Sequence, residues 1–476
     1  MTVPIGFVVR LNRHARVLDA GRALLGGAPT RVVYLTRLAQ SLLTDRTIRV
    51  RDAAGAVLAD RLLELGMADP VIDELAPVDA AWTVVVPVRD RPEELARLLG
   101  SIEPGRPVIV VDDASRRPRA IAAVAAEHGA RLIALGQNLG PGGARNAGLA
   151  EVATPFVVFA DSDIVLDADT VPVLLRHFAD SKVAMAVPRI AGLEVPGSDN
   201  WIGRYEEARS SLDLGRHPAS VRPRSPVSWA STACVVARVD ALGDGFDPAM
   251  RVGEDVDLGW RLVDQGWRIR YEPAVRARHE HRVRFWDWFG RKAVYGTGAQ
   301  PLAVRHPRDI APAVLAPWSA GVVIALLAQR RWSLPVAAGI TAFTAARIAK
   351  KLDRVEHPLA WGGWLAANGA VGALAQASAL MLRHWWPLTA VGIVVSPRVR
   401  RAAAVAAVLD VAVEYRRTEA RIDPVRFGLA RRLDDIAYGA GVWFAAIRAG
   451  SIAALVPDVS GDSARDDRAS GARARD

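Results

Sequence analysis

FADSDIVL, residues 159–166, sets two carboxylates, Asp161 and Asp163, directly behind an apolar run. Such a run ending at acids reads as a buried strand whose tip carries charge. Upstream, VVVPVRDR (84–91) and IVVDDAS (109–115) repeat the pattern, ending at Asp90 and at Asp112 with Asp113. Short apolar runs at 83–88, 108–111, 131–134 and 156–160 alternate with amphipathic segments such as 92–102 and 119–128, a βαβ succession. An α/β class follows, with a Rossmann-like, mostly parallel sheet. Ligands of such sheets sit at the carboxyl ends of the strands, where these five acids gather.

About ninety residues after the DSD acids comes RVGEDVDLGWRL, 251–262. Leu258 and Leu262 share a helical face, and Asp257 and Arg261 pair at i, i+4, so a helix opens at Glu254 and Asp255. Its acids also suit a helix first turn, the purely structural alternative. Between the two acidic segments, WASTACVVAR (229–238) offers Trp229 as a stacking surface or as core. NLGPGGARNAG (138–148) runs from glycines into a helix and carries Arg145. A Gly-rich helix start can present N–H groups to an anion, and a guanidinium adds fixed charge. The alternative is a turn and helix start. For Asp113, ahead of Ala114 and Ser115, the alternative is a helix N-cap.

These residue types in this order suit transfer of a sugar from a nucleotide. A departing diphosphate calls for a divalent cation, Mn²⁺ or Mg²⁺, on oxygen ligands, which Asp161 and Asp163 supply. An acceptor hydroxyl needs a separate carboxylate to take its proton. His279, in HEHR (279–282), is an imidazole placed to complete a metal shell, or a surface histidine. FWDWFGRKAVYGTG (285–298) reads either as an interfacial helix and loop or as a lid whose Arg291 and Lys292 meet the diphosphate.

The chain has 476 residues, enough for an enzyme domain with additions at both ends. Residues 1–79 read as a small α+β, winged-helix-like module with two strands and two or three helices, 80–300 as the catalytic domain, 301–459 as an apolar helical region, and 460–476 as a disordered tail. The net charge is +10, yet no basic recognition helix stands out, so nucleic acid is set aside as a partner. A single cysteine, Cys234, excludes an internal disulfide and fits a reducing compartment. Segments 310–329 and 359–382 are uncharged and long enough to span a bilayer, while 332–346, 385–397 and 436–447 are short. The basic cluster between the two long segments conflicts with a two-span hairpin, so interfacial helices and a soluble helical domain are the other readings. The expectation is a chain at the cell membrane, contacting lipid, with its catalytic domain cytoplasmic.

Residues 81–298 resemble inverting family 2 glycosyltransferases of the GT-A fold. The resemblance rests on VVVPVRDR, IVVDDAS, the N-x-G-x-x-x-A-R-N-x-G segment, the DSD acids and GEDVDLGWRL; the Q-x-x-R-W signature of processive synthases is absent. It implies Asp255 as catalytic base with Glu254 orienting, and Asp161, Asp163 and His279 as metal ligands. It also implies donor contacts from Pro87, Asp90, Asp112, Asp113, Gly140, Arg145, Asn146, Arg291 and Lys292, with Trp229 at the acceptor. The wider layout, with LLGGAPTRVVYLT (24–36), GEDVDLGWRL and RKAVYGTGA (291–299), resembles the glycosyltransferase family of the mycofactocin system. That implies glucose transfer, from UDP-glucose, to a peptide-derived cofactor precursor, premycofactocin, building a β-1,4-oligoglucose. Other readings are a membrane-associated enzyme acting on an envelope glycan or lipid, a sugar nucleotidyltransferase, and a non-catalytic scaffold. The nucleotidyltransferase needs a Gly/Arg/Lys-rich phosphate signature after the first strand, where this chain has VPVRDRPEE.

Overall fold

The structure, a computed structural model, describes residues 3–459, so the tail expected to be disordered lies outside the described residues. The chain divides into two compact units between His281 and Arg282. That division falls earlier than the boundary after residue 300 read from composition, and the N-terminal module belongs to the first unit.

The module contains β1 (Val8–Leu11), β2 (Arg16–Leu18), β3 (Ala23–Gly26), β4 (Arg31–Tyr34), β5 (Thr47–Arg49) and β6 (Ala68–Pro70). The helix Ala53–Glu64, capped by Asp52 accepting from Gly55 N, packs on the antiparallel sheet β5-β1-β6. A second antiparallel sheet, β2-β3-β4, was not anticipated. Six strands appear where two were expected, because three- and four-residue strands are too short to show alternation.

The catalytic sheet takes β7 (Trp82–Val88), β8 (Val108–Asp112), β9 (Arg131–Ala134), β10 (Phe156–Ala160), β11 (Ile164–Leu166), β12 (Val183–Gly192), β13 (Ala219–Val221), β14 (Cys234–Arg238) and β15 (Arg268–His279). Their order is β11-β15-β12-β14-β10-β7-β8-β9, with β13 beside β15. The half from β10 to β9 is parallel, as the βαβ pattern requires. Beyond β10 the sheet is mixed: β14 runs antiparallel to both β10 and β12, and β12 is parallel to β15. Mostly parallel therefore holds for one half only. Two apolar layers cover its faces, one including Val84, Val86, Leu95 and Val158, the other Val85, Val157, Phe159 and Leu258. Gly148 lets the helix Gly140–Leu149 lie close on the sheet, since a Cβ there would stand 2.3 Å from Val85 Cγ1.

The second unit is helical. Its helices include Phe285–Thr297, Ala299–Arg305, Pro317–Leu327, Ser333–Lys351, Pro358–Ala379, Trp386–Val395, Pro397–Thr418 and Pro424–Ala449. Segment 310–329, expected as one long span, forms only the 11-residue helix Pro317–Leu327. Segment 359–382 is helical throughout, continuing through a wide π turn at Leu380–His384.

Candidate active site

Carboxylates and guanidiniums interlock at the tips of β7, β8 and β10. Asp161 and Asp163 follow β10, Arg91 follows β7, and Arg145 rises from the helix Gly140–Leu149. Arg145, 3% exposed, donates from Nη2 to Asp161 Oδ1 at 2.6 Å and from Nη1 to Glu254 Oε1 at 3.0 Å. Its guanidinium lies 5.4 Å from the Phe246 ring. Beside the diphosphate contact expected of it, Arg145 has a structural part: both terminal nitrogens engage protein carboxylates, tying the DSD tip to the helix that carries Glu254 and Asp255. Arg145→Met would strand two carboxylates beside each other, and a loss of about 3–5 kcal/mol is expected in urea denaturation.

Arg91 donates to Asp163, whose Oδ2 also lies 3.5 Å from His279 Nε2. Burial pushes the Asp163 carboxyl up, but the charges and hydrogen bonds of His279 and Arg91 outweigh it and hold the group well below the usual carboxylate range. Asp163 and His279 thus meet, as the sequence suggested, because β11 pairs with β15 in a register that sets Ile164 opposite His279. Arg91 was not anticipated in this role, although it directly follows Asp90.

Two carboxylates and an imidazole form a donor set of the hardness Mn²⁺ or Mg²⁺ takes. Among the described residues no three His, Cys, Asp or Glu side chains form a ready-made cage. Mg²⁺ is commonly held by one or two carboxylates together with substrate phosphates.

The remaining donor residues divide. Asp90, in a left-handed conformation (φ 59°), donates from its backbone N to Ser115 Oγ at 2.9 Å and accepts from Arg116 N at 2.6 Å, joining the loops after β7 and β8. Pro87 pairs with Val111 inside the strand, which runs on to Val88 rather than breaking at the proline. Asp112 accepts from Ser115 N at 2.9 Å. Asp113 takes a different part. It accepts from Asn138 Nδ2 at 2.6 Å, Leu139 N at 2.6 Å and Gly140 N at 3.0 Å, so it anchors the Gly-rich loop, and the Gly140 N–H points at the Asp113 carboxylate. Gly140 has φ 79°, and a Cβ there would stand 2.7 Å from Arg251 Nη1. Asn146 is likewise internal: its amide brackets Phe246, accepting from N at 2.9 Å and donating to O at 2.7 Å, which sets the ring against Arg145. The glycines and Asn146 build the scaffold of the site.

Glu254 and Asp255 open the helix Glu254–Asp264, whose N-cap is Gly253 at φ 83°. Leu258 and Leu262 are buried and Arg261 Nε donates to Asp257 Oδ2 at 2.8 Å, as the spacing predicts. Asp255 shares a small recess with Trp229, Trp260 and Met185, and Trp260 Nε1 donates to Ser228 O at 2.7 Å, fixing the loop that carries Trp229. Burial, then the neighbouring Glu254 charge, pushes the Asp255 carboxyl up to about 7, with Arg145 pulling the other way. A carboxyl poised there at neutral pH is suited to proton transfer.

The description "Glycosyl transferase family 2" matches residues 83–227, and "Glycosyl transferase family group 2" matches 156–394. The pre-mycofactocin glycosyltransferase of Mycobacterium tuberculosis is 41% identical over 96% of this chain and 98% of its own length. The chain belongs to glycosyl transferase family 2. It is a glycosyltransferase, and its sheet is that of the GT-A fold. The succinoglycan biosynthesis protein ExoO of Rhizobium meliloti is 32% identical over 35% of this chain and 50% of its own. Among solved structures, the mannosyltransferase PcManGT from Pyrobaculum calidifontis superposes with a TM-score of 0.37 at 20% identity, covering 63% of this chain and 88% of that one.

Arg291 and Lys292 lie in the second unit, on the regular helix Phe285–Thr297, not on a loop. Lys292 is buried, 3.8 Å from Asp434, and the Arg291 guanidinium lies 5.8 Å from the Tyr295 ring. A Cβ at Gly296 would stand 2.0 Å from Tyr438 O, so this helix is locked against Pro424–Ala449. The lid reading is corrected accordingly.

Proposed function

We propose that this glycosyltransferase moves a hexose, glucose from UDP-glucose, onto a peptide-derived redox-cofactor precursor of the premycofactocin type, with inversion, building a β-1,4-linked oligoglucose. Whole-length similarity to the pre-mycofactocin glycosyltransferase carries the choice of acceptor. The site supports the chemistry. Pro87, Asp90 and Asp112 at the tips of β7 and β8 form the nucleotide edge. Asp161 and Asp163, with His279, would hold Mn²⁺ or Mg²⁺, which when bound offsets charge on the departing diphosphate.

Asp255 takes the acceptor proton as the acceptor oxygen bonds the anomeric carbon from the face opposite the diphosphate, and the carbon–oxygen bond to the diphosphate breaks with its electron pair. Glu254, held by Arg145, keeps the helix start in register with Asp161, so donor and acceptor halves are tied by one guanidinium. Trp229 offers an apolar face beside the base.

The test incubates purified protein with the acceptor and a panel of nucleotide sugars under Mn²⁺ or Mg²⁺, reading released nucleoside diphosphate and acceptor mass. Stepwise hexose additions from UDP-glucose alone are expected. Transfer only to a lipid or glycan acceptor would sink the acceptor assignment. Trp229→Ala should raise the acceptor KM roughly tenfold or more, the order of one lost stacking contact, while donor hydrolysis without acceptor stays unchanged.

A further inference from the structure

Between residues 333 and 409 the helical unit is built largely inside out. Small residues make most of the interior contacts there: Ala337, Ala349, Ala366, Ala373 and Ala403 are buried, and a Cβ at Gly362 would stand 2.4 Å from Ala345 O. Large apolar side chains lie outside, among them Leu334, Phe343, Leu359 and Val371, with Val394 79% and Val395 74% exposed. The helix Trp386–Val395 has no charge and no buried residue at all. Helices of water-soluble proteins turn their large apolar residues inward, whereas close contact through small residues with large ones outside is how helices pack in lipid.

Charge identifies what covers this surface. Between residues 329 and 401 the sequence carries ten Lys and Arg against two acids, Asp353 and Glu356. Gln329 Nε2 donates to Arg398 O at 2.7 Å, which brings Arg330 and Arg331 beside the segment bearing Arg398, Arg400 and Arg401, all five exposed. A second copy of the same face would set this cluster against itself, whereas an anionic lipid surface complements it.

Length decides how the unit sits. Helices of 10 and 11 residues reach about 15–16 Å, half of a hydrocarbon core of about 30 Å. Among the described residues only Pro358–His384, with 27 residues and mean hydropathy 1.4, is both long and apolar enough to cross. Were it to cross with its packing neighbour Ser333–Lys351, Arg330 and Arg331 would lie on one side and Lys350 and Lys351 on the other, against the one-sided placement of basic residues. Lying along one leaflet brings both basic ends to headgroups.

We propose that residues 317–421 form a monotopic platform on an anionic lipid leaflet, its exposed valines and leucines below the phosphates and its arginine cluster among them. The test uses the full-length purified protein with phosphatidylcholine vesicles, with and without one third phosphatidylglycerol. Flotation with the anionic vesicles is expected, with at least a tenfold drop for Val391→Asp/Val394→Asp, which removes no buried group, and a fall to the neutral-vesicle level for Arg398→Gln/Arg400→Gln/Arg401→Gln.

Sidedness is read with Arg331→Cys and Lys351→Cys in separate variants on sealed vesicles, using a membrane-impermeant maleimide. The native thiol gives no background, since Cys234 is buried and pushed up to about 12. Labelling of both positions from outside supports the platform, and protection of either one shows a crossing helix and overturns it. Equal flotation of wild type and the Val391→Asp/Val394→Asp variant, or no flotation with self-association lost in that variant, also overturns it.

Discussion

Asp255→Asn is expected to lower the transfer rate by roughly two to four orders of magnitude, the usual contribution of general-base catalysis, while nucleotide affinity stays near wild type. Asparagine keeps the size of the side chain and the acceptor that meets Val256 N at 2.8 Å, but its oxygen is not basic. The alternative, that Asp255 only favours the start of its helix, predicts retained activity, because Gly253 already holds the N-cap position and the neighbouring acids remain. Two pH measurements sharpen the contrast. With the carboxyl pushed up to about 7 by burial and by Glu254, the wild-type rate should climb as pH rises through about 7, and that limb should vanish in the variant. Because the folded value lies above the unfolded value of about 4, ionising Asp255 costs stability increasingly between about pH 4 and 7. The asparagine variant should therefore melt higher than wild type at pH 8 and lose that advantage at pH 4. A variant that keeps both its rate and the alkaline rise in activity would remove Asp255 from the chemistry.

The parallel half of the sheet was legible because its strands are uninterrupted apolar runs that end at acids: β9 and β10 occupy the segments their hydrophobicity marks. The helix at Glu254 was legible through Leu258, Leu262 and the Asp257–Arg261 spacing. The mixed half was not, because β12 and β15 have no local signal for their direction, and the parallel pairing of β12 with β15 joins segments more than eighty residues apart. The acids at the strand tips could be placed from sequence, yet the partners of the guanidinium beside them could not. In isolation a Gly-rich helix start with an arginine means an anion contact, and the structural part of Arg145 has no local mark. Only the fold brings Glu254, 109 positions away, within 3.0 Å. The contacts of Asp113 and Asn146 were hidden for the same reason: most of their partners are backbone groups of other loops, and backbone partners leave no mark in composition. In the second unit, Lys292 read as mobile charge among glycines, but Gly296 and Gly441 serve close helix contact, with a Cβ at Gly441 meeting Ala293 O at 1.9 Å.

Removing the DSD carboxylates separates metal chemistry from scaffold chemistry. Asp161→Ala/Asp163→Ala should abolish transfer and bring nucleotide affinity in Mn²⁺ down to the value measured in chelator, because two anionic ligands of the ion are lost while the tips of β7 and β8 are unchanged. The single variants differ in their cost to the protein without metal. Asp163→Ala strands Arg91, a partly exposed cation that water can reach, so only a small fall in melting temperature is expected. Asp161→Ala strands one end of Arg145, which is almost wholly buried and keeps only Glu254, so a larger fall, on the order of 1–3 kcal/mol, is expected. Adding Mn²⁺ with UDP should raise the wild-type melting temperature and leave the double variant where it was. A double variant that transfers sugar near the wild-type rate, or that still gains stability from Mn²⁺ with UDP, would show that the ion is held elsewhere and that these acids serve only to hold Arg91 and Arg145.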